Sequence, residues 1–380
     1  TQGPFAYLCF SKTYALSRTG QVRTFDENAD GIVISEGVAA VILKRLEDAE
    51  QDGDRIYAVI KGVGASSDGK AKGMTAPHPE GQVLALERAY AQAGFPISTV
   101  GLFEAHGTGT VVGDRTEVES LQLAFGNTKL NGHRCALGSV KSVIGHTKCT
   151  AGVASLIKVA MALHYKVLPP TLGVEKPNAQ AASPDNPFFI NTEVLPWISG
   201  GTPRRAGASS FGFGGTNFHA VLEEYQGSYL DHPKQPIHNW PTELFLWYGD
   251  SRQDIQRALE ALEKALVHGA EPALADVAYT IQKQNKPGKK AVAIVAASVD
   301  DLRKKLKQAK EMLADVNVSQ ISHPQGIYFS DRPLAQEGKI AFLFPGQGSQ
   351  YVYMMRDLAI QFDEVREGFA RADETLKDLT

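Results

Sequence analysis

The chain has 380 residues, 43% of them hydrophobic and 21% charged, with a formal net charge of -3. That length allows two or three domains with sizeable cores, and the near-neutral charge excludes a basic field for nucleic acid or anionic lipid. No apolar run reaches membrane-spanning length, since Lys158 interrupts the most apolar stretch, residues 153–163. Three cysteines, Cys9, Cys135 and Cys149, form no even disulfide framework, which points to a reducing, cytoplasmic setting. The chain opens on Thr1 without a signal peptide, and residues 360–379 read as a helix lacking a terminal cap. A fragment of a longer protein is expected.

Residues 56–63 form a β-branched run suited to a strand. Val83, Leu86 and Tyr90 set a helix over residues 82–92, which Gly94 ends. A short apolar strand at 100–103 runs into the segment 104–110, and residues 116–125 are helical again. Another strand is predicted at 135–140. Residues 146–165 read as one long helix with small residues on most faces (Ala151, Gly152, Ala154, Ala160, Ala162), so burial between layers is expected. Late strands fall at 188–192 and 220–223. This alternation predicts a layered α/β domain over residues 1–225.

Pro233, Pro236 and Pro241 mark a boundary in residues 226–241. Two similar units follow. A strand at 244–248 precedes Ser251 and Asp254, a helix-start pair, and the apolar stripe Ile255, Leu259, Leu262, Leu266 closed by Gly269. A second strand at 291–297 precedes Ser298 and Asp301, with the stripe Leu302, Leu306, Ala309, Leu313. Arg303, Lys304, Lys305 and Lys307 read as a solvated helix face. Residues 226–338 are therefore predicted to be a small α/β packing domain without catalytic groups. A further apolar strand at 339–344 enters residues 345–350, so a third domain is expected to open in 339–380.

Three segments carry chemistry. Residues 104–110 place His106 and Thr108 between glycines directly after a strand, where an α/β site usually lies. Residues 138–147 hold Lys141 and His146 where a strand gives way to the long helix. Residues 211–217 form a glycine-rich turn with Phe213, Gly214 and Asn217. Taken singly, each has a bland reading as a hydrogen-bonded loop. The spacings of His133, Cys135, His146 and Cys149 match no zinc pattern, and no metal site is predicted.

Taken together and in this order, the three segments resemble the ketosynthase family of the thiolase superfamily, found in fatty acid and polyketide synthases. Phe25 with Asp26, Ala29 to Gly31, Leu43 to Leu46 and Pro169 to Thr171 also match, so the resemblance covers residues 1 to about 224. Residues 56–69 and 80–82 look closest to iterative synthases of polyunsaturated fatty acids. Residues 344–350 resemble the opening of an acyltransferase domain, which in this family follows a ketosynthase and a linker, and make Gln347 its oxyanion donor.

The resemblance implies the C-terminal half of a thiolase-like α-β-α-β-α fold. It implies decarboxylative Claisen condensation of a malonyl group on an acyl carrier protein with an acyl thioester. His106 and His146 would stabilise the enolate, with Lys141 orienting the polar network. Thr108 and Thr110 would hold the phosphopantetheine arm, and Phe213 and Gly214 would complete the oxyanion hole and acyl pocket. No cofactor is bound by the chain itself, and a homodimer is expected. A helix start at His146 would oppose protonation of its ring. The family's cysteine nucleophile precedes the first histidine motif and is expected upstream of Thr1, since Cys9 and Cys149 read as packing residues. Without it the fragment is expected to be inactive. Ser155 occupies a position that is acidic in some bacterial relatives, which leaves Lys141 without that partner. One alternative is a non-catalytic relative paired with an active ketosynthase, against which His106, Lys141 and His146 all argue; another, left open, is a non-catalytic dimerisation or docking module.

Overall fold

The computed structural model describes all residues except 1, 71–72, 74–75, 127–133, 200, 228–239, 267–271, 335–338, 340 and 377–380. The chain divides into two units, one comprising Thr1–Ile237 with Tyr351–Thr380, the other His238–Gln350. Pro233, Pro236, Gly269 and His133 lie outside the described residues.

The first unit opens with α1 (Pro4–Lys12), a helix with no buried residue. An irregular stretch bridges Leu16 to Ile32 and Ile34 to His146 before α2 (Leu46–Asp52). Next comes β1 (Val59–Ser67), later than predicted because its second half, rich in Gly, Ala and Ser, carries little strand propensity. It lies against α3 (Pro79–Ala93), so closely that a Cβ on Gly64 would sit 2.0 Å from the Ala85 carbonyl oxygen. Gly94 ends α3 in the left-handed region, as predicted.

Alternating elements follow: β2 (Leu102–Glu104), α4 (Val111–Phe125), β3 (Cys135–Gly138), α5 (Lys141–Ile144), α6 (Ala151–Tyr165), β4 (Val167–Leu168), β5 (Phe188–Ile190), β6 (Leu195–Pro196), β7 (Arg205–Phe211) and β8 (Thr216–Glu223). Six of the strands form one sheet in the order β1-β8-β7-β2-β3-β5. The run β7-β2-β3-β5 is parallel, while β8 and β1 join antiparallel. Glu104 pairs with both Gly138 and Ala208, so the loops after β2, β3 and β7 leave the same edge.

Strand alternation sends side chains to two cores. On one face Leu86, Tyr90, Val118 and Leu121 of α3 and α4 cover Phe103, Leu137 and Val221. On the other, Val159, Ala162 and Leu163 of α6 cover Leu102, Ala136, Ala206 and Leu222. Full burial of each such Leu or Phe contributes about 1.5–3 kcal/mol. The predicted helix over 146–165 is corrected: α6 begins at Ala151, after a 3-10 turn at Lys148–Thr150. Left-handed backbone at Gly145 and Lys148 breaks the helix there. Only Ala151, Ser155, Val159, Ala162 and Leu163 of α6 are buried, so its small residues do not put it inside on every face.

The second unit contains β9 (Glu243–Gly249), α7 (Arg252–Ala265), α8 (Leu274–Gln284), β10 (Lys290–Ala296), α9 (Val299–Leu313), β11 (Gln320–His323) and β12 (Ile327–Ser330). Its antiparallel sheet runs β11-β12-β10-β9. Both predicted helix starts are formed: Ser251 and Asp254 make a capping box, and the Ser298 hydroxyl accepts from the Asp301 amide at 3.1 Å. The two apolar stripes meet the sheet through Ile255, Leu259, Leu302 and Leu306 against Phe245, Val292 and Ile294. The sequence reading missed α8 and the β11–β12 hairpin. Lys304 and Lys307 are exposed as expected, but Arg303 and Lys305 are half-buried and paired with Asp300 and Asp301. Among the described residues the strand expected at 339–344 is not formed: residues 341–346 are exposed and irregular.

From Tyr351 onward the chain packs with the first unit. Extended backbone at Phe362 splits the predicted terminal helix into α10 (Arg356–Gln361) and α11 (Asp363–Leu376). Arg356 pairs with Glu193 at 2.6 Å.

Candidate active site

The carboxyl ends of parallel strands are where α/β folds place their sites. After β2, Gly107 and Gly109 take φ of 39° and 77°, which lets the loop turn its amides toward α4. There Glu117 accepts from the His106 and Gly107 N–H groups at 2.7 and 2.8 Å. Asp114 accepts from the Gly109 N–H at 3.1 Å and the Phe25 N–H at 2.7 Å. Burial pushes both carboxyls up to about 7, against amide bonds that favour the ionised forms. These two carboxylates were missed in the sequence. The signal was available, because positions three apart at a helix start share the face next to the preceding loop.

His106 and His146 meet edge to face, with ring centroids 5.6 Å apart. Nδ1 of His106 accepts from the Phe211 N–H at 3.3 Å, and Nδ1 of His146 accepts from the Lys148 N–H at 3.1 Å. Each bond fixes the tautomer: the neutral ring must carry its proton on Nε2. Burial and the Lys141 charge hold His106 well below the ordinary histidine range, and the same causes pull His146 down to about 3. The expected helix-dipole effect on His146 is not the cause, since α6 starts five residues later. Both rings are therefore neutral Nε2–H donors.

Lys141 is buried at the start of α5, where burial lowers its affinity for a proton while Glu104, Glu117 and Asp114 raise it. Ser155 gives Lys141 no acidic partner, as expected, but the charge of nearby Glu104 acts on Lys141. Glu104, fully buried, accepts from the Ser155 hydroxyl at 3.4 Å and from Lys158 at 2.7 Å.

A cavity of about 750 Å³ is lined by both histidines, Thr108, Thr110, Phe213 and Gly214. The Thr108 and Thr110 hydroxyls lie 3.1 Å apart. In the 211–217 turn, the Gly212 and Gly215 amides serve the turn itself, bonding Thr216 and Gly212 carbonyls. Asn217 pins the turn by donating to Asp68 at 2.7 Å. Phe213 is exposed, its ring 5.7 Å from that of Phe10. The structure thus gathers the sequence-predicted site residues of the first unit around this cavity, except Lys141, which does not line it and acts on both histidines through its charge. Gln347 is exposed on a turn of the second unit. Two cysteine readings are corrected: Cys9 is exposed on α1 because that helix buries nothing, and Cys149 is exposed on the 3-10 turn and lines the cavity. Among the described residues no group of three His, Cys, Asp or Glu could hold a metal, and no helix is long and apolar enough to cross a membrane.

Comparison with known proteins gives one answer along most of the chain. The sequence family described as beta-ketoacyl synthase, N-terminal domain, matches residues 1–49, and its C-terminal domain matches 57–175. The ketoacyl-synthetase C-terminal extension matches 177–294. A polyunsaturated fatty acid synthase from Thraustochytrium sp. is 39% identical over 97% of this chain, which spans 14% of that protein. The reducing polyketide synthase Preu2 of Preussia isomera is 34% identical over 99% of the chain and 16% of its own length. Among solved structures, the ketosynthase from module 6 of the bacillaene synthase of Bacillus subtilis 168 is 36% identical, with a TM-score of 0.57 over 82% of this chain and 54% of its own. The oxazolomycin ketosynthase domain of Streptomyces albus JA3453 gives 33% identity and a TM-score of 0.57, over 82% of this chain and 53% of its own.

Proposed function

The chain belongs to the beta-ketoacyl synthase family, and we propose that it supplies the enolate-stabilising part of a condensing enzyme within a polyketide or polyunsaturated-fatty-acid type synthase. In this reaction a malonyl thioester on a carrier protein loses carbon dioxide, and the electron pair passes into a thioester enolate. The enolate carbon attacks an acyl group held on a cysteine, a carbon–carbon bond forms, and the cysteine leaves as thiolate. The enzyme is thus an acyltransferase. One observation carries the reading: two half-buried, neutral imidazoles share one cavity, each with Nδ1 tied to a backbone N–H. That leaves two preorganised N–H donors for an oxygen that becomes negative, a task a water-poor site performs best.

Burial above all keeps the imidazoles neutral, and the nearby positive charge of Lys141 adds to it. Thr108 and Thr110 hold the phosphopantetheine arm of the carrier protein, while Phe213 and Gly214 shape the acyl end. Residues 226–338 form the linker to an acyltransferase domain that begins in 339–380, with Gln347 as its oxyanion donor. The free cysteines fit a reducing cytoplasm, and a homodimer through the ketosynthase is the working assembly. None of Cys9, Cys135 and Cys149 is assigned as the cysteine that carries the acyl group.

The test is acyl loading of the complete synthase with a labelled acyl thioester, followed by mapping of the label. Label on a cysteine preceding residue 1 supports the reading. Label on Cys149, which lines the cavity, or on Cys9 or Cys135, overturns it.

A further inference from the structure

Lys148 occupies an unusual place. Its backbone sits at φ 60°, a left-handed conformation that non-glycine residues adopt only against a steric penalty. Its Nζ is buried and has no hydrogen-bond partner among the described residues. The ammonium lies 3.8 Å from the centre of the Phe10 ring, and that ring packs against Phe213. Lys148 lines the same cavity as His106 and His146, and its own N–H fixes the His146 ring.

A buried cation without an anion is costly, and a structure that strains its backbone to keep one there holds it for a charged partner. An aromatic face stabilises the ammonium without neutralising it. Burial pulls Lys148 down to about 8, so the group is still mainly charged at neutral pH. Resting on the ketosynthase reading above, we infer that Lys148 seats the carboxylate of the extender unit, a malonyl-type thioester, beside His146 before carbon dioxide leaves. The seat acts on binding. The carboxylate carries its full charge in the ground state and loses it in the transition state, so an ion pair to Lys148 lowers KM and does not speed bond cleavage. When the carbon–carbon bond breaks, the electron pair moves to the thioester oxygen at the histidines, and Lys148 keeps its proton.

The experiment uses the complete synthase with Lys148→Met and Lys148→Arg. Carbon dioxide release is measured against malonyl carrier protein concentration, and loading of a neutral acyl thioester is measured in parallel. Lys148→Met removes an unpaired buried charge and keeps the stem, so it should fold. The expected result is a KM for malonyl carrier protein raised roughly tenfold or more, acyl loading within about twofold of the parent, and recovery of most of the loss by Lys148→Arg. A KM within twofold of the parent, or equal losses for malonyl and neutral acyl groups, overturns the inference while leaving the ketosynthase reading standing. Absence of carbon dioxide release by the parent synthase overturns both.

Discussion

A neutral imidazole donates through one nitrogen only, and a backbone N–H aimed at the other decides which. His106 and His146 both receive such a bond at Nδ1, one from a late strand and one from the turn following His146 itself. The predicted state is Nε2–H for both rings. Because burial lowers the folded-state pKa, the neutral form should persist well below the ordinary histidine range, to about pH 3 for His146. Nitrogen chemical shifts of the two rings, recorded from pH 8 to pH 5, should show a neutral Nε2–H tautomer throughout. Titration of either ring near pH 6.5 would contradict the geometry. The residue identities were legible in the sequence because two short motifs carry them. Their tautomer was not, since Phe211 lies 105 residues from His106 in the chain.

Close approach of one element to another is set by what lacks a side chain. The β1–α3 contact depends on Gly62 and Gly64, where an added Cβ would meet the Ala89 and Ala85 carbonyl oxygens at 2.2 and 2.0 Å. Neither backbone can yield without separating helix from sheet. Beyond β1, the Asp68 N–H bonds the Gly215 carbonyl, so a shift there reaches the 211–217 turn. Gly64→Ala should therefore destabilise the chain by roughly 1–3 kcal/mol or more, read as a lower denaturant midpoint. A change below about 0.5 kcal/mol would show that the contact is looser than described. Elements with strong periodicity or turn chemistry were legible: the stripes of α7 and α9 with their serine caps, and α3 with its terminal glycine. β7 was not, since Ala206 to Ser210 are small residues with weak strand propensity, held in place by pairing on both sides. The start of α6 was misplaced because no glycine or proline in residues 146–150 marks a break, while the backbone turns left-handed at Lys148.

Across the whole molecule, the family resemblance pointed to a candidate site before any distances were known, while burial could not be read from it. Apolar Val38, Ile42 and Leu43 are exposed, although their composition reads as core. The chain spans about half the length of the solved ketosynthases it resembles, 54% in one case. The central claim is a division of labour in the complete enzyme: the histidines stabilise the enolate and leave acyl loading to the cysteine. Separate assays of acyl loading and of carbon dioxide release, run on His106→Ala, His146→Ala and the double variant of the complete synthase, test it most directly. Each single variant should load acyl groups nearly normally and release carbon dioxide about a hundred- to a thousandfold more slowly, the usual loss for one oxyanion donor. The double variant should fall short of the product of the two, because the pair acts as a unit. Loss of loading with intact carbon dioxide release in His146→Ala would make that ring a general base for the cysteine and contradict the account.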